Sequence, residues 1–107
     1  MKSITLGKLT IDPDRFNITK NGITILCTKT EFNILYLMMS TNGKIFSREQ
    51  ISKHVWEKET IDFPRTIDVH ICNLRKKIGK INNEEIIVSR KGVGYKLNNA
   101  LQAKEDS

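Results

Sequence analysis

The sequence predicts an α+β fold: an antiparallel sheet first, three helices next, a β-hairpin last. Three observations predict it. Up to Leu26, β-branched runs alternate with turn residues. Two helix-start boxes follow, Thr28-Lys29-Thr30-Glu31 and Ser47-Arg48-Glu49-Gln50. Two short β-rich runs flank Lys91-Gly92-Val93-Gly94 near the end. The expected organisation is one domain over residues 1–107, with strands in 1–27, helices in 28–79, the hairpin in 80–97 and a tail in 98–107.

The strands are expected at Ile4-Thr5-Leu6, Leu9-Thr10-Ile11, Arg15 to Thr19 and Ile23 to Leu26. Gly7-Lys8, Asp12-Pro13-Asp14 and Asn21-Gly22 punctuate them, the last being a two-residue hairpin signal. The resulting meander has one face free to cover helices. In the first box Thr28 caps the helix and Glu31 reaches back. That helix turns Phe32, Leu35, Tyr36 and Met39 inward and stops at Asn42-Gly43. Lys44-Ile45-Phe46 is a short extended link. The second helix buries Ile51, Val55 and part of Trp56. A polar loop follows from Glu57 to Phe63, and Pro64 suits the first turn of the third helix, which ends at Gly79. Lys80 to Glu85 reads as a polar connection. Ile86 to Arg90 and Tyr95 to Leu97 then form the hairpin, and Asn98 to Ser107 is expected to fray or end in a short helix.

The net charge is +6 and the pI about 9.5, which favours a polyanionic partner. Arg75, Lys76, Lys77, Lys80, Arg90, Lys91 and Lys96 crowd the last third. Cys27 and Cys72 lie far apart without CxxC spacing, so neither a zinc framework nor a disulfide scaffold is expected. No apolar run is long enough to span a bilayer and no signal-peptide core is visible, so a reduced cytoplasmic setting is expected. No nucleophile–base pair, metal cluster or phosphate-cradling glycine loop appears; the expectation is no enzyme, no metal and no cofactor.

The third helix carries the functional signal. Ile67, Ile71, Leu74 and Ile78 make a buried stripe, and Arg65, Val69, Cys72, Asn73 and Lys76 fall opposite. A fork donor, an amide and a methyl-bearing side chain on one face suit the edges of DNA bases. Arg65 and Thr66, at the helix N-terminus, are read as phosphate contacts; a solvent-facing Arg and an ordinary Thr are the plain alternative. An exposed Val69 gains nothing from water, and a thymine methyl would give it a purpose. Asp68 either pairs with Arg65 three residues earlier or accepts from a cytosine amine. Cys72 is either an inert small side chain or a redox-sensitive thiol beside Lys76. Cys27 takes a staple position against Phe32. Tyr95 offers its hydroxyl either to phosphate or to the chain's own backbone.

In order along the chain, Thr28-x-x-Glu31-Phe32, Ser47-Arg48-Glu49-Gln50 with Val55-Trp56, Arg65-Thr66-Ile67-Asp68-Val69-His70-Ile71-x-x-Leu74-Arg75-Lys76 and Gly92-x-Gly94-Tyr95 closely resemble the effector domain of OmpR/PhoB-type response regulators. The resemblance covers nearly the whole chain and implies a winged helix-turn-helix that binds double-stranded DNA in sequence-specific fashion and regulates transcription. It implies phosphate contacts from Trp56, His70 and Arg75, with Lys76 beside them, and a hairpin residue, Lys91, in the adjacent minor groove. Arg90 stands where the family often has an apolar residue and would replace or supplement that contact. Asn73 stands where the family often has Arg, which shifts the expected base preference toward adenine. The resemblance further implies direct-repeat sites on which two copies pair, a phosphorylatable receiver domain in the parent protein, and RNA polymerase contact through the loop Glu57, Lys58, Glu59, Thr60, Ile61 and Asp62. The competing expectation is a protein-interaction module that meets polymerase through that loop and binds DNA only nonspecifically.

Overall fold

The computed structural model describes residues 2–41, 43–56, 64–98, 100–101 and 104–105; at 56, 64–66 and 104–105 it describes the backbone alone. β1 (Ile4–Leu6), β2 (Leu9–Asp12), β3 (Asn17–Lys20) and β4 (Ile23–Ile25) form the expected antiparallel meander. Its registers place Ile4 opposite Ile11, Leu6 opposite Leu9, and Ile11 opposite Ile18. Strand alternation therefore gathers these five side chains on one face, where all are buried. Asn21 and Gly22 both have positive φ, as the tight turn between two twisted strands requires.

The tail departs from expectation. β9 (Lys104–Glu105) joins the sheet as a fifth strand beside β1, with Thr5 opposite Lys104. Polar residues carry no periodic signal, but β1 would otherwise present unpaired backbone groups along its outer edge, and the tail covers them. Asn98 steers the chain there. Its Nδ2 donates to the Glu85 carbonyl at 2.8 Å and its Oδ1 accepts from the Ala100 N–H at 2.9 Å. Leu101 packs against the core.

α1 (Lys29–Thr41) and α2 (Arg48–Trp56) begin as the two boxes predict. Thr28 Oγ1 accepts from the Glu31 N–H at 3.1 Å, and Glu31 Oε1 accepts from the Thr28 N–H at 2.9 Å. Ser47 and Gln50 repeat the exchange at 3.1 and 2.9 Å. α1 buries Phe32, Leu35 and Met39, while Tyr36 is only partly buried. α2 buries Ile51, with Val55 half-buried against the core. The loop expected between α2 and α3 lies outside the described residues, as does Asn42. α3 (Pro64–Ile78) opens at Pro64 as expected.

Residues 80–85 are not a plain connection. β5 (Lys80–Ile81) and β6 (Glu84–Glu85) pair across Asn82 and Asn83, both with positive φ, a conformation that Asn tolerates better than most residues. β7 (Ile87–Arg90) and β8 (Gly94–Leu97) make the final hairpin. Phe46, from the extended link, adds a rung to it: its N–H and C=O exchange 2.9 Å bonds with Tyr95.

Long-range ties hold α3 in place. Lys20 Nζ donates to the carbonyls of Ile78 at 2.6 Å and Lys80 at 2.8 Å, putting a cation at the negative end of the helix. Lys77 Nζ meets Glu31 Oε1 at 2.6 Å, joining α3 to the start of α1. Burial alone would push the Glu31 carboxyl up. Lys77 and the Thr28 N–H outweigh it and hold the group below the usual carboxylate range.

Candidate nucleic-acid interface

α3 presents four distinct sides, as a helix of 3.6 residues per turn allows. Ile67, Ile71, Leu74 and Ile78 are buried on the inner side. Opposite them Val69, Cys72, Asn73 and Lys76 are exposed, at i, i+3, i+4 and i+7. Val69 is 55% exposed in mid-helix. The remaining two sides are anchored. His70 and Lys77, two turns apart, flank α1, where His70 lies near enough to Glu31 to favour its ionised form. Lys77, one of the cations crowded into the last third of the sequence, is half of the pair that holds a buried carboxylate.

The other flank carries Asp68 and Arg75, and here the structure differs most from expectation. Asp68 Oδ1 accepts from Arg48 Nε at 2.8 Å, 20 positions away in α2, and also from the hydroxyl of Tyr95 in β8. The Tyr95 hydroxyl was expected at phosphate or at the backbone; it donates to this carboxylate because Tyr95 packs inward, 6% exposed. Burial, then the Asp68 carboxylate, raise the Tyr95 hydroxyl above its ordinary range, so it remains a donor at neutral pH. The guanidinium carbons of Arg48 and Arg75 lie 5.6 and 5.5 Å from the centre of the Tyr95 ring, within cation–π range. Arg75 Nε donates to the Ile87 carbonyl at 3.0 Å, which ties α3 to β7 and leaves the two Nη groups of the fork unused by that bond.

Arg48 has no role in the sequence reading beyond its place in a capping box. A signal was available. A cation in the first turn of a helix sits at the positive end of the dipole, an unfavourable place without an acidic partner. The Asp68 bond raises the Arg48 guanidinium above its ordinary value.

At the far end of the final hairpin Arg90, Lys91, Gly92 and Val93 are exposed, and the Val93 N–H closes the turn onto the Arg90 carbonyl at 2.9 Å. Val93, 54% exposed, gives the tip an apolar point that sequence reading overlooked. Trp56, Arg65 and Thr66 lie in the last turn of α2 and the first turn of α3, where their side chains are outside the described residues; so are residues 57–62. Cys27 packs against the core in staple register with Phe32; burial, then Glu31, raise its thiol above the ordinary value. Among the described residues no group of three or more His, Cys, Asp or Glu could hold a metal ion, and no helix is long and apolar enough to cross a membrane.

Residues 22–97 match the family described as "Transcriptional regulatory protein, C terminal". The response regulator ArlR of Staphylococcus aureus is 37% identical over 92 residues, which cover 86% of this chain and 42% of ArlR. The chain thus spans about two fifths of the length of that relative. The DNA-binding domain of CpxR from E. coli superposes with a TM-score of 0.80 at 32% identity, over 91% of this chain and 96% of that one. The DNA-binding domain of RstA from Klebsiella pneumoniae, solved in complex with the RstA box, gives 0.79 at 27% identity, over 92% and 99%.

Proposed function

This chain belongs to the family of C-terminal domains of transcriptional regulatory proteins, with the winged helix-turn-helix of OmpR/PhoB-type effectors, and from that premise we propose that it binds double-stranded DNA sequence-specifically as the effector half of a response regulator. One observation carries the reading. Three sides of α3 are packed or anchored, and the fourth shows water a valine, an amide and a lysine in one stripe. The valine gains nothing from solvent, and the stripe as a whole matches the methyl and hydrogen-bonding edges of the major groove.

In this reading Val69 touches a thymine methyl and Asn73 pairs with adenine or reaches a base through water. Arg65, Thr66, Arg75 and Lys76, with Trp56 and His70 at the margins, set register on phosphates. Arg90 and Lys91 enter the neighbouring minor groove, with Val93 at the tip. Two copies pair on direct repeats, and residues 57–62 face RNA polymerase; both points rest on the resemblance. A receiver domain in the parent protein would supply phosphorylation control, and the protein would work in the cytoplasm.

The test is selection of bound duplexes from a random pool by the purified domain, followed by titration at several salt concentrations. An enriched motif, bound with a log–log salt slope of about −5 for roughly five neutralised phosphates, is the expected result. A pool that enriches no motif, or binding almost insensitive to salt, would overturn it.

A further inference from the structure

We propose that Asp68, Tyr95 and Arg48 form a positioning clamp that fixes the final hairpin against α3. The proposal rests on the DNA-binding reading and deepens it. A domain that touches two adjacent grooves needs its helix and its hairpin held in one mutual register, because misplacement by a fraction of an ångström loosens both sets of contacts.

Two donors from two other elements meet on one oxygen of Asp68. Asp68 is on α3 immediately before Val69; Arg48 opens α2; Tyr95 follows Gly94 at the start of β8. Asp68 Oδ1 accepts from the guanidinium at 2.8 Å and from the phenol. A carboxylate is acceptor-only, so each partner must bring the proton. Two donors occupy the two lone pairs of Oδ1, which fixes the carboxylate between α2 and β8. An uncompensated carboxylate beside a phosphate rail would repel it, and Arg48 cancels that charge locally. The ring of Tyr95 adds packing, since Arg48 and Arg75 both lie within cation–π range of it. The clamp supplements the backbone rung that Phe46, two residues before α2, makes to Tyr95, and the Arg75 bond to Ile87 at the base of the hairpin; it adds a side-chain link that joins α3, α2 and β8 at one carboxylate.

The experiment compares Tyr95→Phe, Asp68→Asn and the double variant with the parent domain, each checked for folding by thermal melt. Tyr95→Phe keeps the ring and removes one O–H; Asp68→Asn keeps the shape and removes the charge. Affinity is measured for the selected duplex and for a random one. Each single change should cut the ratio of selected to random affinity by about tenfold, as expected for a lost charge-assisted bond. The double variant should be no worse than the poorer single, because both remove the same link. Affinity for the random duplex and the salt slope should move less than about twofold, since no phosphate contact is lost. Equal weakening on both duplexes, or losses that simply add, overturns the proposal. Should Asp68→Asn fail to fold, Tyr95→Phe, which alters no charge, decides the proposal alone on the same readouts.

The two readings fail separately. If the parent domain discriminates no sequence, the DNA-reading function falls. The clamp is then judged on the free protein by amide exchange in residues 87–97. Faster exchange confined to that hairpin in Tyr95→Phe sustains it, and unchanged exchange removes it.

Discussion

Gly94→Ala should detach the final hairpin, and the size of the effect follows from a single close approach. A Cβ at position 94 would lie 1.9 Å from the Phe46 carbonyl oxygen, 2.7 Å from its carbon and 2.9 Å from Ser47 Cα. These are backbone atoms, so no side-chain rotation relieves the clash. Ordinary contact with a carbonyl oxygen needs about 3.3 Å, so the two segments must part by more than about 1 Å. That movement breaks the paired 2.9 Å bonds between Phe46 and Tyr95. Two net backbone bonds contribute about 1 kcal/mol each, and forced overpacking costs about 1–3 kcal/mol more. The sum, roughly 3–5 kcal/mol, is a large share of the 5–15 kcal/mol typical of a folded domain. Gly92→Ala is the internal control. Gly92 has φ +75° with nothing within 4 Å of a built Cβ, so only the left-handed backbone penalty of about 1–2 kcal/mol applies. Thermal melts of the two variants decide the matter. Gly94→Ala should melt roughly 10 °C or more below Gly92→Ala; equal midpoints would refute the steric argument.

Further expectations concern stability and binding. The folded Glu31 carboxyl sits below its unfolded value, so the unfolded chain takes up the proton first. Its stabilising contribution is complete above the ordinary carboxylate range near pH 4.3 and is lost as pH falls through the lower folded value. Urea titrations at several pH values should show Glu31→Gln less stable at pH 7 by about 1–3 kcal/mol and flatter between pH 5 and 3; an unchanged slope would contradict the assignment. Lys20→Met keeps the apolar stem and loses both carbonyl bonds, and should lower the unfolding free energy by about 1–2 kcal/mol in the same assay. Asn73→Ala should relax sequence preference in gel shifts while random-duplex affinity stays nearly constant; parallel losses would deny it a base-reading role.

What the sequence disclosed was local. Both capping boxes join residues three apart, and the two faces of α3 follow from the 3.6-residue period, so spacing alone exposed them. The ties that orient α3 are different in kind. Arg48 with Asp68, Glu31 with Lys77, and Lys20 with the end of α3 connect residues 20 to 58 positions apart, and only the folded topology brings them together. The same gap explains Tyr95. Its place after Gly-x-Gly was legible, but its partner belongs to another element. Asn82-Asn83 was missed because two asparagines are a weaker hairpin signal than Asn-Gly. The last strand was missed because its pairing serves the backbone of β1, not its own side chains. For the candidate interface, the outward stripe at Val69, Asn73 and Lys76 was readable, whereas the engagement of Asp68 by its neighbours was not.

The pairing of β9 with β1 has a practical side. The family match ends at Leu97, an attractive place to shorten the protein. Such a version would lack the strand that shields β1, leaving a lip whose amides and carbonyls are ready to recruit a second molecule. Preparations trimmed there would self-associate through that lip, and the oligomers they formed would reflect the cut edge and not the intact protein.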